Sequence, residues 1–183
     1  MKIIKTEIED LLILKPKVFY DDRGYFFESF NQQEFNKETG LNILFVQDNQ
    51  SYSTEGVIRG LHYQIPPFEQ AKLVRVISGK VLDIAIDIRK NSPTYGKYIS
   101  VELSGENNLQ LFIPAGFAHG FVTLSETAIF SYKCSNFYSK EHEGGIRFND
   151  SKLNIDWQIA SNEMIVSDKD KLLPEFEKHI LFN

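Results

Sequence analysis

An all-β sandwich or barrel is the fold class that this chain of 183 residues predicts. Three observations predict it. Short segments of alternating apolar and polar residues recur along the chain with turn residues between them. Aromatics make up 13% of the residues, with 15 Phe and 8 Tyr, which suits pleated, half-buried surfaces. Helix signals are few. Asn31 to Thr39, closed by Gly40, reads as one short helix, and Lys169 to Lys178 as a second that Pro174 limits.

The strands follow in order. Asp22-Arg23-Gly24 is a turn that leads into a strand at Tyr25 to Phe30. In Phe45 to Asn49, Gln47 and Asn49 share one face. In Val57 to Gln64, His62 has the parity of Ile58 and Gly60, and Arg59 falls on the other face unless the strand bulges, which is cheapest at Gly60. In Lys72 to Ile77, Lys72 alternates with Val74 and Val76. Lys80 to Ile88 follows the tight turn Ser78-Gly79-Lys80. It places Leu82, Ile84, Ile86 and Ile88 on one face and Val81, Asp83, Ala85 and Asp87 on the other. Lys97 to Leu103, Gln110 to Ile113 and Thr127 to Cys134 complete the set, with Tyr132 on the apolar face of the last beside Phe130 and Cys134.

Size and composition bound the function. One domain over residues 1–183 is the natural division, and a chain of this length buries about 70% of its unfolded surface without staples. A single cysteine, Cys134, leaves no internal disulfide and fits a reducing compartment. The net charge of −5 argues against a general nucleic-acid role, although local Arg and Lys clusters still suit a small anion. The N-terminal stretch carries acids where a signal peptide needs an apolar core, and no apolar run reaches the length of a membrane span. The expectation is a cytoplasmic protein that meets neither membrane nor nucleic acid.

Two histidines carry the chemistry. His62 lies in Arg-Gly-Leu-His-Tyr-Gln and His119 in Pro-Ala-Gly-Phe-Ala-His-Gly-Phe. The Pro-x-Gly-x-x-His pattern resembles the second motif of the cupin superfamily, whose histidine often binds a metal. The first cupin motif supplies two His and a Glu, but here only His62 is present and Lys72 stands where the acid would be sought. A lysine repels a cation, and two His fall short of the usual three protein ligands. The expectation is therefore no metal and no cofactor. Tyr132 is either a core tyrosine or a proton donor, since a phenol stays protonated at neutral pH. Asp168 and Asp170, in Val-Ser-Asp-Lys-Asp, matter only if their loop folds over the pocket and orients His62. Arg23 is a surface residue or an anion clamp. Glu141-His142-Glu143 alone would be a charged loop. Gly-rich phosphate loops and the Gly-x-Ser-x-Gly elbow are missing from the sequence.

Taken together, several stretches resemble one family, the dTDP-4-dehydrorhamnose 3,5-epimerases. They are Asp-Arg-Gly-Tyr-Phe-Phe-Glu-Ser-Phe from Asp22, Phe-Val-Gln-Asp-Asn from Phe45, Arg-Gly-Leu-His-Tyr-Gln from Arg59 and Lys-Leu-Val-Arg-Val from Lys72. Asp-Ile-Arg-Lys-Asn-Ser-Pro-Thr-Tyr-Gly from Asp87, Ile-Pro-Ala-Gly-Phe-Ala-His-Gly-Phe from Ile113, Tyr-Lys-Cys from Tyr132, Glu-His-Glu-x-Gly-Ile from Glu141 and Ser-Asp-Lys-Asp from Ser167 continue the series in order.

The resemblance implies a metal-free cupin-type jelly roll acting as a homodimer on dTDP-4-dehydro-6-deoxy-D-glucose, on the way to dTDP-L-rhamnose and cell-surface polysaccharide. It implies His62 as base, Tyr132 as acid and Asp168 as the carboxylate paired with His62, with Asp170 the competing choice. Lys72 would sit near the developing enolate. Arg23, Glu28, Gln47, Asn49, Arg59, His119 and Glu143 would line the nucleotide-sugar site, with Tyr138 stacked on the thymine. The rival readings are a relative that inverts one centre or isomerises the ketone, a metal-dependent cupin, and a non-catalytic sugar-binding barrel.

Overall fold

The computed structural model describes residues 1–182. Its strands are β1 (Lys2–Lys5), β2 (Leu12–Lys15), β3 (Phe19–Asp21), β4 (Gly24–Phe26), β5 (Gln47–Thr54), β6 (Val57–Gln64) and β7 (Lys72–Ser78). They continue with β8 (Lys80–Asp87), β9 (Tyr98–Ser104), β10 (Gln110–Ile113), β11 (Phe117–Thr123), β12 (Thr127–Cys134), β13 (Glu143–Gly145) and β14 (Ile165–Val166). Helix α1 spans Gln32–Thr39, and α2 is a single turn, Asp168–Lys171.

One sheet runs β1-β2-β10-β7-β12-β5 and the other β13-β6-β11-β8-β9, with β14 added parallel to β6. The other strand pairs are antiparallel. Val74, Val76, Val81, Ala85, Leu103, Leu111, Phe121 and Phe130 fill the space between the two sheets. The outer face of the second sheet is covered too. Ile58, Leu61, Leu82, Ile84 and Ile86 pack there against Ile146, Leu153, Trp157 and Phe176 from the C-terminal third. On the outer face of the first sheet, Leu14, Leu73 and Phe112 pack against Phe35 of α1. This is the cupin-type jelly roll, two antiparallel sheets packed face to face.

Local chemistry explains the ends of α1. Asn31 caps it by accepting from the N–H groups of Gln33 and Glu34, and Gly40 ends it in the left-handed conformation at φ 73°. The second predicted helix is cut to one turn. Pro174 cannot continue it, and Phe176–Lys178 forms only a separate 3₁₀ turn. The strand expected at Tyr25 to Phe30 is shorter, because β4 ends at Phe26. Among the described residues no helix is long and apolar enough to cross a membrane.

Candidate active site

Strand β6 breaks its own alternation. Its pairing with β11 shifts by one residue between His119↔His62 and Phe121↔Arg59. Gly60 sits at the shift with φ 113°, and a Cβ there would lie 2.6 Å from the His119 carbonyl oxygen and 2.7 Å from the Gly120 Cα. The extra residue sends Ile58 and Leu61 outward into the apolar layer and brings Arg59 and His62 to the same inner side. The expected parity of His62 with Ile58 therefore does not hold, and the bulge is the reason.

The inner side opens into a cavity of about 840 Å³. His62, Lys72, His119 and Tyr132 line it, together with Gln47, Asn49, Arg59, Tyr138 and Glu143. Nine of the twelve residues expected at the site thus meet in one place.

His62 is oriented by a carboxylate. Its Nε2 lies 2.7 Å from Asp170 Oδ1, and Asp170 Oδ2 accepts from the Gly60 N–H at 3.3 Å. Burial pushes the Asp170 carboxyl up, but the His62 hydrogen bond and charge and the Gly60 N–H outweigh it and hold the group below the usual carboxylate range. Asp168, the expected partner, is not the one. Its side chain is 96% exposed and paired with Lys171 at 3.0 Å. Ser167 caps α2 through the Asp170 N–H, and two helical residues are about 200° apart around the axis. When Asp170 turns into the cavity, Asp168 must turn out.

Lys72 is 91% buried by area, being 9% exposed, and its Nζ donates to the His62 carbonyl at 3.5 Å. Burial lowers its pKa, while Cys134, Asp83 and Glu143 act in the opposite direction. Tyr132 projects from β12, where burial raises its phenol above the ordinary value and Arg59 opposes the rise. It therefore holds its proton over the whole neutral range. His119 Nε2 meets Asp83 Oδ2 at 2.9 Å. Burial lowers the His119 pKa despite that carboxylate.

The rest of the wall is cross-braced. Arg59 Nε donates to Ser53 Oγ at 3.0 Å and Nη2 to the Tyr52 carbonyl at 3.2 Å, which fixes the guanidinium. The Tyr138 N–H donates to Gln47 Oε1 at 3.0 Å, Gln47 Nε2 to Asn49 Oδ1 at 3.1 Å, and Asn49 Nδ2 to Cys134 Sγ at 3.6 Å. Glu143 accepts from Lys169 Nζ at 2.6 Å and from the Tyr138 hydroxyl at 3.4 Å.

Two expected residues do not reach this cavity. Arg23 belongs to the β3–β4 hairpin, where its side chain is 89% exposed and bonded to Asp21. Glu28, just past β4, is exposed as well. The hairpin pairs with neither large sheet, so within one chain both residues stand away from the pocket. Conversely, sequence reasoning missed Asp83 and Lys169. Asp83 had a usable signal, since it alternates with Val81 and Ala85 on an inward face. Lys169, between two aspartates, had none.

A lysine side chain shares the cavity with the two histidines, each of which meets a carboxylate through Nε2, and among the described residues no group of three or more His, Cys, Asp or Glu converges.

Known proteins resemble this chain in sequence and in fold. A family model described as dTDP-4-dehydrorhamnose 3,5-epimerase matches residues 5–178. The dTDP-4-dehydrorhamnose 3,5-epimerase of Shigella flexneri is 56% identical over 170 residues, covering 93% of each chain. The crystal structure of dTDP-4-dehydrorhamnose 3,5-epimerase from Elizabethkingia anophelis superposes with a TM-score of 0.93 at 56% identity, over 97% of each chain. A Legionella pneumophila dTDP-6-deoxy-D-glucose-3,5-epimerase in complex with dTDP-4-keto-L-rhamnose gives a TM-score of 0.93 at 46% identity, covering 97% of this chain and 93% of that one. The chain belongs to the dTDP-4-dehydrorhamnose 3,5-epimerase family.

Proposed function

We propose that this protein is a dTDP-4-dehydrorhamnose 3,5-epimerase that converts dTDP-4-dehydro-6-deoxy-D-glucose to dTDP-4-dehydro-L-rhamnose, with the chemistry done by its own side chains. One observation carries the mechanism: the His62–Asp170 pair at 2.7 Å, the Tyr132 phenol and the Lys72 ammonium open into the same cavity.

The hydrogens on C3 and C5 flank the C4 ketone, so removing either leaves an enolate. The His62 imidazole takes the proton, and Asp170 stabilises the imidazolium that forms. The electron pair moves into the C3–C4 or C4–C5 bond and on to the C4 oxygen, where the Lys72 ammonium meets the charge. That interaction strengthens as the enolate develops, so it lowers the barrier rather than merely tightening binding. Tyr132 then gives its proton to the carbon from the opposite side. The ketone re-forms with the centre inverted, and the His62 proton returns to the phenolate through solvent. Each acid–base partner contributes about 10² to 10⁴ in rate. Arg59, braced by Ser53 and Tyr52, holds the pyrophosphate, Tyr138 stacks on the thymine, and Gln47, Asn49, His119 and Glu143 complete the wall.

The chain works as one domain, in the cytoplasm, as a homodimer. What supports the dimer is the β3–β4 hairpin. It exposes Phe19, Tyr20, Tyr25 and Phe26, and a two-stranded ribbon has little stability by itself. Packed on a second copy, it would bury those aromatics and bring Arg23 and Glu28 to the neighbouring cavity.

The deciding experiment is incubation with the 4-keto sugar in D₂O, read by NMR at both carbons. Deuterium at C3 and C5 is expected in the wild type. His62→Ala and Tyr132→Phe should each lose turnover while still binding dTDP. Label at one carbon only would replace this reading with a single-centre epimerase, and unchanged turnover in both variants would remove the acid–base pair.

A further inference from the structure

Gln64 ends β6 two residues beyond His62 and lines the same cavity, yet the acid–base chemistry makes no use of it. It is only 5% exposed. A buried amide is costly unless its polar atoms are paired, and here both are. Gln64 Nε2 donates to the Phe137 carbonyl at 3.1 Å and to the Phe68 carbonyl at 2.6 Å, while Oε1 accepts from the Ser139 N–H at 2.7 Å. Carbonyls only accept and a peptide N–H only donates, so these partners fix which way the amide faces.

Two of the three partners stand on either side of Tyr138. Residues 135–139 belong to no helix or strand, so no ladder of their own holds that tyrosine. The peptide joining Phe137 to Tyr138 is held at both ends: its carbonyl accepts from Gln64, and its N–H donates to Gln47 Oε1 at 3.0 Å. The next peptide donates its N–H to Gln64. At the far end of the side chain, the Tyr138 hydroxyl meets Glu143 at 3.4 Å, and Glu143 on β13 is the register partner of Gln64. The backbone is thus tied down on both sides of the Tyr138 Cα, and the half-exposed ring faces the cavity.

We propose that Gln64 is a positioning residue for nucleotide recognition: with Gln47 it clamps the two peptides flanking Tyr138 and so holds the phenol ring in place for the base. The inference rests on the reading that Tyr138 stacks on the thymine.

A ring on a loose loop must be ordered when the ligand arrives, at a cost in conformational entropy, whereas a clamped ring is already in place. The two glutamines differ in what they keep. Gln47 gives one amide hydrogen to Asn49 and retains one for a ligand. Gln64 gives both of its hydrogens to protein carbonyls and has none to offer, so it acts through Tyr138.

Gln64→Met tests this, because the side chain keeps its length and loses its hydrogen bonds. The readout is calorimetric titration with dTDP and with inorganic pyrophosphate, neither of which needs turnover. Base–aromatic stacking sets the scale, and dTDP affinity should fall by about 5- to 50-fold. Pyrophosphate carries no base and should bind within about twofold of wild type. In a Tyr138→Ala background the same change should cost less than about twofold more, since the ring it acts through is gone. A purely structural role would weaken dTDP and pyrophosphate alike, or would add its full cost in the Tyr138→Ala background, and either result overturns the proposal. If Gln64→Met does not fold, Gln64→Asn decides by the same titrations, because it keeps an amide but is one methylene too short to reach both peptides. Tyr138→Ala binding dTDP as wild type does would sink the stacking reading and this inference with it. A Gln64 variant that binds dTDP as wild type does sinks this inference alone.

Discussion

Replacing Asp170 by Asn removes the charge behind His62 while keeping the shape of the contact. In the native site the 2.7 Å bond joins His62 to a carboxylate that is 5% exposed, so solvent does little to screen it. A hydrogen bond to a charged group contributes about 1.5–3 kcal/mol, which at about 1.4 kcal/mol per tenfold corresponds to roughly 10- to 150-fold. That stabilisation is needed most when His62 holds the substrate's proton, so the loss should fall on kcat rather than on KM. The expected outcome for Asp170→Asn is thus a kcat lower by one to two orders of magnitude, with dTDP affinity close to wild type. Asp168→Asn, at a side chain 96% exposed, should change turnover by less than about twofold. The assay is initial-rate NMR of the 4-keto sugar with a parallel dTDP titration. Equal losses in the two variants, or a kcat for Asp170→Asn within twofold of wild type, would refute the assignment of Asp170 as the partner of His62.

Three other outcomes follow from the fold. Gly60→Ala should destabilise the protein by about 2–4 kcal/mol, because φ 113° is strained for alanine and its methyl would strike the β11 backbone; an unchanged urea midpoint would contradict the bulge. Phe35→Ala should cost about 3–5 kcal/mol in the same unfolding experiment, since Phe35 is fully buried, with ring centroids 5.4 Å from both Phe45 and Phe112. Asp87 is fully buried and accepts from Arg89, Ser92 and Thr94; burial raises its pKa, but those bonds hold it below the ordinary value. A depressed carboxylate stabilises the fold above its unfolded pKa of about 3.9, and that contribution is lost as pH falls through the folded pKa. Tm measured from pH 7 to pH 3 should therefore fall more steeply for wild type than for Asp87→Asn, with the two curves converging in acid; parallel curves would count against it.

What was legible in the sequence had a period. Strands Val57–Gln64, Gln110–Ile113 and Thr127–Cys134 fall where alternation and turn residues put them. Strand β11 was harder to read, because all seven of its residues are buried and both faces are covered, so no polar beat marks it. Strands β1 and β2 are four residues each, too short for a pattern, and gain their place from pairing with each other and with β10. The site divides the same way. His62, Lys72 and Tyr132 follow from strand parity once Gly60 is allowed to bulge. Asp168 against Asp170 was not decidable from composition, because the cap at Ser167 sets the rotation of a single helical turn. Arg23 and Glu28 could not be placed by any local rule, since a hairpin outside both sheets takes its position from whatever it packs against.

The ladder from Tyr138 to Cys134 has a consequence for which ligands the wall welcomes. The peptide hydrogen of Tyr138 can only be given, so Gln47 must turn its oxygen to it, Asn49 must turn its oxygen to Gln47, and sulfur receives the last hydrogen. Both amides thereby commit a lone-pair atom to the protein, and each nitrogen retains one spare hydrogen. This stretch of surface suits guests whose edges are rich in carbonyl or phosphoryl oxygen. Exchanging Gln47 for Glu would remove its spare hydrogen, leave only the one on Asn49, and set a negative edge where oxygen-rich guests need a giver.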